Sequence, residues 1–180
     1  HDRLILFGGA NSPSPASVND ERNDVWALDL SVVFPTWTQL LPTPPAGTRW
    51  SHVAIYDPVR DRMIVYGGYS FSGITNADVW SLSLGGPPAW SVFHPVGPAH
   101  PEGVGSAAVY DPVRDRMLLI GSWRPSPVED TPSAVTALSF KYDPAWIPLA
   151  PDGLYPQRLT YNQAAYDSAS DHVIVGGGSI

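Results

Sequence analysis

The chain contains no cysteine and no long apolar run. Without cysteine, disulfide bonds, thiolate metal ligands and a cysteine nucleophile are excluded within these 180 residues. No segment approaches the roughly 18 consecutive apolar residues of a membrane-spanning helix, so we do not expect membrane insertion. The five histidines show neither HExxH nor HxH spacing, and the sequence therefore predicts no metal site and no cofactor.

Basic residues are also few, with 10 Lys and Arg against 17 Asp and Glu and a formal net charge of −7. Such a charge repels phosphate backbones, so nucleic acid is not an expected partner. The sequence begins His1-Asp2-Arg3, without an initiator methionine or a signal peptide. We therefore expect a processed chain or a fragment.

The residues that are abundant favour β-structure. The chain has 43% hydrophobic residues and includes 16 Gly, 20 Pro, 7 Trp and 8 Tyr. Aromatic residues favour strands, while glycine and proline favour the tight turns that join them. The composition therefore predicts an all-β domain with many short strands.

A repeat of about 55 residues organises the whole chain. The segment YDPVRDRMIVYGG at 56–68 returns as YDPVRDRMLLIGS at 110–122 and as YDSASDHVIVGGG at 166–178, and DRLILFGG at 2–9 is a truncated copy. The intervals are 59, 54 and 56 residues between the equivalent aspartates, which are Asp2, Asp61, Asp115 and Asp171. A third segment (DVWALDL, DVWSLSL, AVTALSF) and a tryptophan (Trp37, Trp90, Trp146) recur in the same order.

Each period predicts four antiparallel strands, as in SHVAIYD, DRMIVYGG, DVWSLSL and AWSVFHP between Ser51 and Pro95. The segment 57–61 suits a tight hairpin, because proline presets its φ and aspartate bonds the backbone two residues on. Residues 63–66 are apolar at successive positions, so both faces of that strand must be buried. Radially stacked four-stranded blades of a β-propeller meet this requirement without helices.

The repeat boundaries divide one partial propeller into four blades. We expect an incomplete blade over 1–45 (strands two to four), full blades over 46–98 and 99–153, and an incomplete blade over 154–180 (strands one and two). The second strand thus occurs four times and each other strand three times. Such a set does not close as a ring, so we expect the rest of a longer propeller chain to accompany it.

These repeats resemble the kelch family, which includes proteins similar to galactose oxidase. The resemblance rests on the glycine pairs Gly8-Gly9, Gly67-Gly68 and Gly177-Gly178, on the Asp-Val-Trp third strand and on the tryptophan of the fourth strand. It implies a kelch-type β-propeller fragment. The third copy departs from the pattern at Ser122 and Thr136, so we expect different side chains to pack against that blade.

Binding residues are expected where the repeats diverge, because insertions in repeat folds map to loops on one face. The loop-face candidates are aromatic or arginine residues, which anchor partners or stack on sugars: Arg49, Trp50, Tyr69, Phe71, Trp123, Arg124, Tyr155 and Arg158. The polar residues that begin each first strand are expected to line a central channel: His52, Ser106 and Asn162. The structural alternative is that the loop residues shield the blade tops. The arginines beside the hairpin aspartates are expected to form exposed ion pairs.

The sequence favours a non-catalytic binding or scaffold module whose loop face binds protein or glycan. One alternative is a carbohydrate-active enzyme of epimerase, lyase or oxidase type. A copper oxidase with a Cys–Tyr crosslink is excluded by the lack of cysteine, and the sialidase motif SxDxGxTW is absent. Another alternative is a structural spacer in a larger surface protein. The resemblance suggests an extracellular or cell-surface bacterial location.

Overall fold

The protein is all-β, as the composition and the repeats predict. Its computed structural model describes residues 2–12, 17–71, 76–101, 105–121, 134–153 and 160–179. Within these ranges the chain forms two four-stranded, one three-stranded and one two-stranded sheet, all antiparallel. The described residues contain no helix long and apolar enough to cross a membrane.

The four sheets follow one another along the chain, and neighbouring strands of each sheet are consecutive in sequence. The first sheet contains β1 (Arg3–Ala10), β2 (Glu21–Asp29) and β3 (Trp37–Leu40), with a short 3-10 helix at Val18–Asp20 before β2. The second sheet contains β4 (Val53–Asp57), β5 (Arg62–Tyr66), β6 (Val79–Ser83) and β7 (Trp90–Phe93). The third sheet contains β8 (Ala107–Asp111), β9 (Arg116–Ile120), β10 (Val135–Ser139) and β11 (Ala145–Leu149). The fourth sheet contains β12 (Thr160–Asp167) and β13 (His172–Ser179).

The repeated hairpin between the first two strands of a sheet has the same geometry in each copy. A carboxylate oxygen of Asp57 accepts the backbone N–H groups of Val59 and Arg60 at 3.1 and 3.2 Å. The turn then ends at Asp61, whose φ of 45° is left-handed. Asp115 and Asp171 repeat that conformation at 50° and 55°. Aspartate tolerates left-handed backbone better than most residues, which explains its recurrence here.

The charges of this hairpin form exposed pairs only in part: the Arg114–Asp171 pair is exposed as expected, whereas the carboxylates of Asp57 and Asp111 are buried. The side chain of Asp57 is fully buried and accepts the Arg62 guanidinium at 2.8 Å. Arg60 reaches the next sheet, where it donates to Asp115 at 2.8 Å and to the Phe140 carbonyl at 2.9 Å. A buried carboxylate is costly unless it is paired and hydrogen-bonded, so the arginines are required by the burial of the aspartates.

Arginines of this type join successive sheets. Just as Arg60 bonds Asp115, Arg114 of the third sheet bonds Asp171 of the fourth sheet at 2.8 Å. The repeat equivalent of these arginines in the fourth sheet is Ser170, which instead bonds Asp167 of its own hairpin. The series of cross-sheet ion pairs among the described residues therefore runs from the second sheet to the fourth.

The second strand of the second sheet is buried on both faces, as its apolar sequence predicts. Ile64 and Tyr66 pack with Met117 and Leu119 of the third sheet. Met63 and Val65 point the other way, into a cluster with Phe7 and Val25 of the first sheet. None of these four strand residues is more than 6% exposed. The second sheet is thus packed between two others.

The terminal sheets are packed on one face only among the described residues. Leu4 and Leu6 of β1 are each 47% exposed, whereas the equivalent Met63 and Val65 are buried. At the other end Ile174 of β13 is 61% exposed, whereas the equivalent Ile64 is fully buried. The apolar repeat therefore leaves an uncovered hydrophobic face at each end of the stack.

Candidate functional site

Glycine pairs at the ends of β1 and β5 hold the loop that carries Arg49, Trp50 and His52. Gly68 has a φ of +97°, and a Cβ built on it would lie 2.8 Å from the Trp50 carbonyl oxygen. The Gly9 amide donates to the Arg49 carbonyl at 2.8 Å. Trp50 and Tyr69 exchange two backbone hydrogen bonds of 3.1 and 2.8 Å. Of the loop-face candidates, Trp50, Tyr69 and Phe71 are those with accessible side chains in the described residues, and we keep the name loop face for these three.

Arg49 is the candidate that lies deepest. Its side chain is 3% exposed and forms two hydrogen bonds with the carboxylate of Asp78, at 2.8 and 3.0 Å. It also donates to the Gly67 carbonyl at 3.2 Å. Burial opposes ionisation of Asp78, but the bonds from Arg49 and the Trp80 indole outweigh it and hold the Asp78 pKa below its usual value. Arg49 therefore fastens the loop to the second sheet.

Trp50 and Tyr69 form an aromatic pair beside Phe71. Their ring centroids are 5.6 Å apart and the rings are nearly parallel, at 25°. Both side chains are half-buried, while Phe71 is 45% exposed. The Trp50 Nε1–H group is buried and has no hydrogen-bond partner among the described residues. The pair thus combines a rigid apolar surface with an unused donor.

His52 follows Trp50 by two residues and packs on the Phe7 ring at 5.2 Å between centroids. Its Nδ1 atom is buried without a partner among the described residues. Burial lowers the pKa of His52 to about 4, and the positive charge of Arg49 adds to that effect against a backbone hydrogen bond that opposes it. The imidazole is therefore neutral at pH 7 and has one free polar nitrogen.

The residues equivalent to His52 have different environments. Each follows a residue of left-handed φ, at Ser51, Gly105 and Tyr161, so the turn geometry is shared. Ser106 lies 3.4 Å from His100 Nε2, and buried Asn162 donates to the Ile120 carbonyl at 3.4 Å. The Asn162 Oδ1 atom has no partner within the described part of the chain. The first strands that carry the three residues lie side by side, since β8 contacts both β4 and β12.

His100 is a buried residue that sequence reasoning did not select. It is 1% exposed and its ring nitrogens lie 3.0 Å from Thr136 Oγ1 and 2.9 Å from the Gly121 carbonyl. Its own carbonyl accepts the Tyr66 hydroxyl at 2.7 Å. Thr136 stands where Trp80 stands in the second sheet, so the histidine occupies part of the space that the smaller side chain leaves. The departure at Thr136 was the only sequence signal for it.

Glu21 is the second residue missed from sequence. It is 5% exposed, and its Oε2 atom accepts the Thr48 hydroxyl at 2.8 Å, immediately before Arg49 and Trp50. Its Oε1 atom is buried without a hydrogen-bond partner among the described residues. Leaving a buried carboxylate oxygen without a hydrogen bond is costly, so Glu21 is an unusual residue at this place in the fold.

The remaining loop-face candidates lie outside the described residues. They are Trp123, Arg124, Tyr155 and Arg158. The structure therefore brings Arg49, Trp50 and Tyr69 together between the first and second sheets, and Phe71 follows Tyr69 by two residues in the chain.

No protein-family model matches the chain. Its fold is similar to that of the solved structure of YjhT, with a TM-score of 0.69 and 19% sequence identity. The superposition covers 98% of this chain and 56% of YjhT, so the chain spans little more than half the length of that protein. At this identity the likeness concerns the fold alone.

The loop face combines the Trp50–Tyr69 pair with the exposed side chain of Phe71. The Trp50 Nε1–H group and the Glu21 Oε1 atom are buried and have no hydrogen-bond partner among the described residues. Within the described ranges no group of three or more His, Asp or Glu side chains is arranged to hold a metal ion.

Proposed function

We propose that this chain belongs to a kelch-type β-propeller and serves as a non-catalytic binding module whose loop face binds protein or glycan. The observation that carries the proposal is the nearly parallel, half-buried Trp50–Tyr69 pair, with the exposed Phe71 two residues further along the chain. Aromatic rings with a polar edge are typical of binding surfaces because they bury much apolar area and still direct a hydrogen bond.

The contrast between the two sides of the molecule supports the same function. The hairpins at one side repeat almost letter for letter and form structural ion pairs, as Asp57 and Asp111 show. The loops at the other side differ between copies. Repeat proteins in which the sequence is constant on one side and variable on the other usually bind their partners with the variable loops.

The enzyme alternative is less well supported by the side chains of this face. A general base works best with a pKa near the operating pH, whereas the pKa of His52 is about 4. Arg49 is committed to Asp78 and does not present its guanidinium to a substrate. The observation in favour of an enzyme is the buried Glu21 carboxylate, whose Oε1 atom has no hydrogen-bond partner among the described residues.

Binding to glycan and peptide arrays tests the proposal with three loop-face variants, Trp50→Ala, Tyr69→Ala and Phe71→Ala. We expect each to weaken retention at least about fivefold, because anchors of this type contribute more than about 1 kcal/mol. Phe71→Ala is the variant least able to disturb folding, since Phe71 is 45% exposed. Tyr142→Ala is the matched control: Tyr142 is 99% exposed and lies between β10 and β11, on the hairpin side.

Three outcomes separate the candidate functions. Retention that is unchanged in all three variants with unaltered melting would reject the loop face as the binding surface. Turnover of a sugar that Glu21→Gln abolishes would replace the binding module by an enzyme. A folded chain that binds nothing on either array would favour the structural spacer.

A further inference from the structure

The tripeptide Pro-Ala-Trp occurs twice, at the start of the outer strand of two neighbouring sheets. Residues 88–90 lead into β7 of the second sheet, and residues 144–146 lead into β11 of the third sheet. In both copies the tryptophan pairs with the equivalent leucine of the neighbouring strand, Leu82 or Leu138. Within the described part of the chain β7 and β11 are the outer strands of their sheets. An edge strand presents N–H and C=O groups that can pair with another extended segment.

The copy in the third sheet is covered by the linker that follows β7. Val96 of this linker forms a parallel bridge with Ala145. Its N–H donates to the Pro144 carbonyl at 2.9 Å, and its carbonyl accepts the Trp146 N–H at 2.8 Å. Gly97 has a φ of +95°, and a Cβ built on it would lie 2.8 Å from the Trp146 carbonyl oxygen. The Pro-Ala-Trp motif therefore binds an extended segment in which valine is followed by glycine.

The copy in the second sheet presents the same groups in the same direction. The Ser83 N–H of β6 donates to the Ala89 carbonyl, so Ala89 faces β6. Because successive residues of a strand direct their backbone groups to opposite sides, the Trp90 N–H and the Pro88 carbonyl point away from β6. They correspond to the two groups of the third sheet that bond Val96.

No linker covers these groups in the second sheet. Among the described residues, no linker residue forms a backbone hydrogen bond with the Trp90 N–H or the Pro88 carbonyl. The linker after β3 has prolines at 42, 44 and 45, which have no N–H to donate. Ala89 is exposed, whereas Ala145, beside Val96, is only partly exposed. Since the second sheet is packed between two others, the opening is confined to its outer edge.

We propose that the outer edge at residues 88–90 is a docking site for an extended segment of a partner protein in which valine is followed by glycine. The segment adds parallel to β7 and extends the second sheet by one strand. Its valine N–H donates to the Pro88 carbonyl, and its valine carbonyl accepts the Trp90 N–H. Residues 85–93 carry no charge, so the backbone pattern and not an ion pair selects this occupant. The site does not depend on the loop face.

The probe is a synthetic peptide with the sequence of residues 93–99, FHPVGPA, titrated into isotope-labelled protein and followed through the backbone amide resonances. We expect a saturable shift of the Trp90 amide with a dissociation constant of about 1 mM, because few hydrogen bonds form. The Trp146 amide is the matched internal control. It is already bonded to Val96, so its resonance should not move.

Peptide variants test the individual contacts. N-methylation of the peptide valine removes the N–H that bonds Pro88 and should weaken binding about fivefold. Replacement of the peptide glycine by alanine should weaken it at least about tenfold, because the added Cβ meets the Trp90 carbonyl. Ala89→Glu changes an exposed residue and tests the register. This variant should bind a peptide with lysine in place of valine about threefold more tightly than the parent protein does, since bridged residues lie side by side.

Absence of a Trp90 shift at about 10 mM peptide, or an equal shift with a scrambled peptide, would overturn the proposal. Binding that the alanine peptide matches would overturn it as well. A Trp90 shift that depends on protein concentration without peptide would assign the edge to a second copy instead.

Discussion

Replacement of Ile64 by Ala measures how much of the stability depends on packing each sheet between two others. Ile64 is fully buried in the cluster shared by the second and third sheets. The substitution removes three carbon groups, each worth about 0.8 kcal/mol of transfer free energy, and leaves a cavity. We expect the free energy of unfolding to fall by about 3–4 kcal/mol. Ile64→Val, which removes one group, should cost about 1 kcal/mol.

Ile174→Ala is the matched control, since Ile174 occupies the same place in the repeat but is 61% exposed. Only the buried part of its side chain is lost from the core, so the expected cost is about 1 kcal/mol. Urea unfolding followed by tryptophan fluorescence gives both values. The comparison requires that the dependence of the unfolding free energy on urea concentration is the same in the variants and the parent protein. Equal losses at the two positions, or a loss below about 1 kcal/mol for Ile64→Ala, would refute the packing argument.

Two further predictions concern the cross-sheet ion pairs and the loop face. The hydrogen bond from Arg60 lowers the pKa of Asp115 and outweighs the opposite effect of burial. The ionised carboxylate therefore stabilises the folded state at pH values above its unfolded pKa, which is near 3.9. This contribution is lost as the pH falls below that value towards the folded pKa. The stability difference between the parent protein and Asp115→Asn, measured by urea unfolding, should therefore shrink between about pH 5 and pH 2; a difference independent of pH would contradict it. Gly68→Ala should lower the stability by more than about 1 kcal/mol and alter the fluorescence of Trp50, because its Cβ would meet the Trp50 carbonyl at 2.8 Å, whereas Gly86→Ala, with open space around it, should not.

Periodicity was sufficient to predict the all-β class and the strands. Residues 63–66 are apolar without alternation, and the prediction that both faces are buried was confirmed. The hairpins could also be predicted, because proline and aspartate act locally. Proline restricts its own φ, and aspartate accepts a hydrogen bond from the backbone two residues further on. The apolar pattern of a single strand predicts that both of its faces are buried. This prediction does not require knowing which strands pack against it.

The loop face was only partly predictable. Trp50, Tyr69 and Phe71 were selected as divergent aromatic residues, and Trp50 and Tyr69 are in contact. Glu21 was missed because nothing in its local sequence shows that the Thr48 loop covers it. His100 was missed because its partners, Thr136 and Gly121, are distant in sequence.

The sequence by itself determined the repeat, the strand order within each sheet and the turns, because these depend on contacts between residues close along the chain. Only the tertiary structure decided which charges are buried and which partners they meet. Arg60 and Arg62 have the same side chain and stand two residues apart, and both pair with Asp57 of their own sheet, yet only Arg60 also bonds Asp115 of the next sheet. That difference arises from the packing of one sheet against the next, which brings together carboxylates and arginines that are 55 residues apart in the chain.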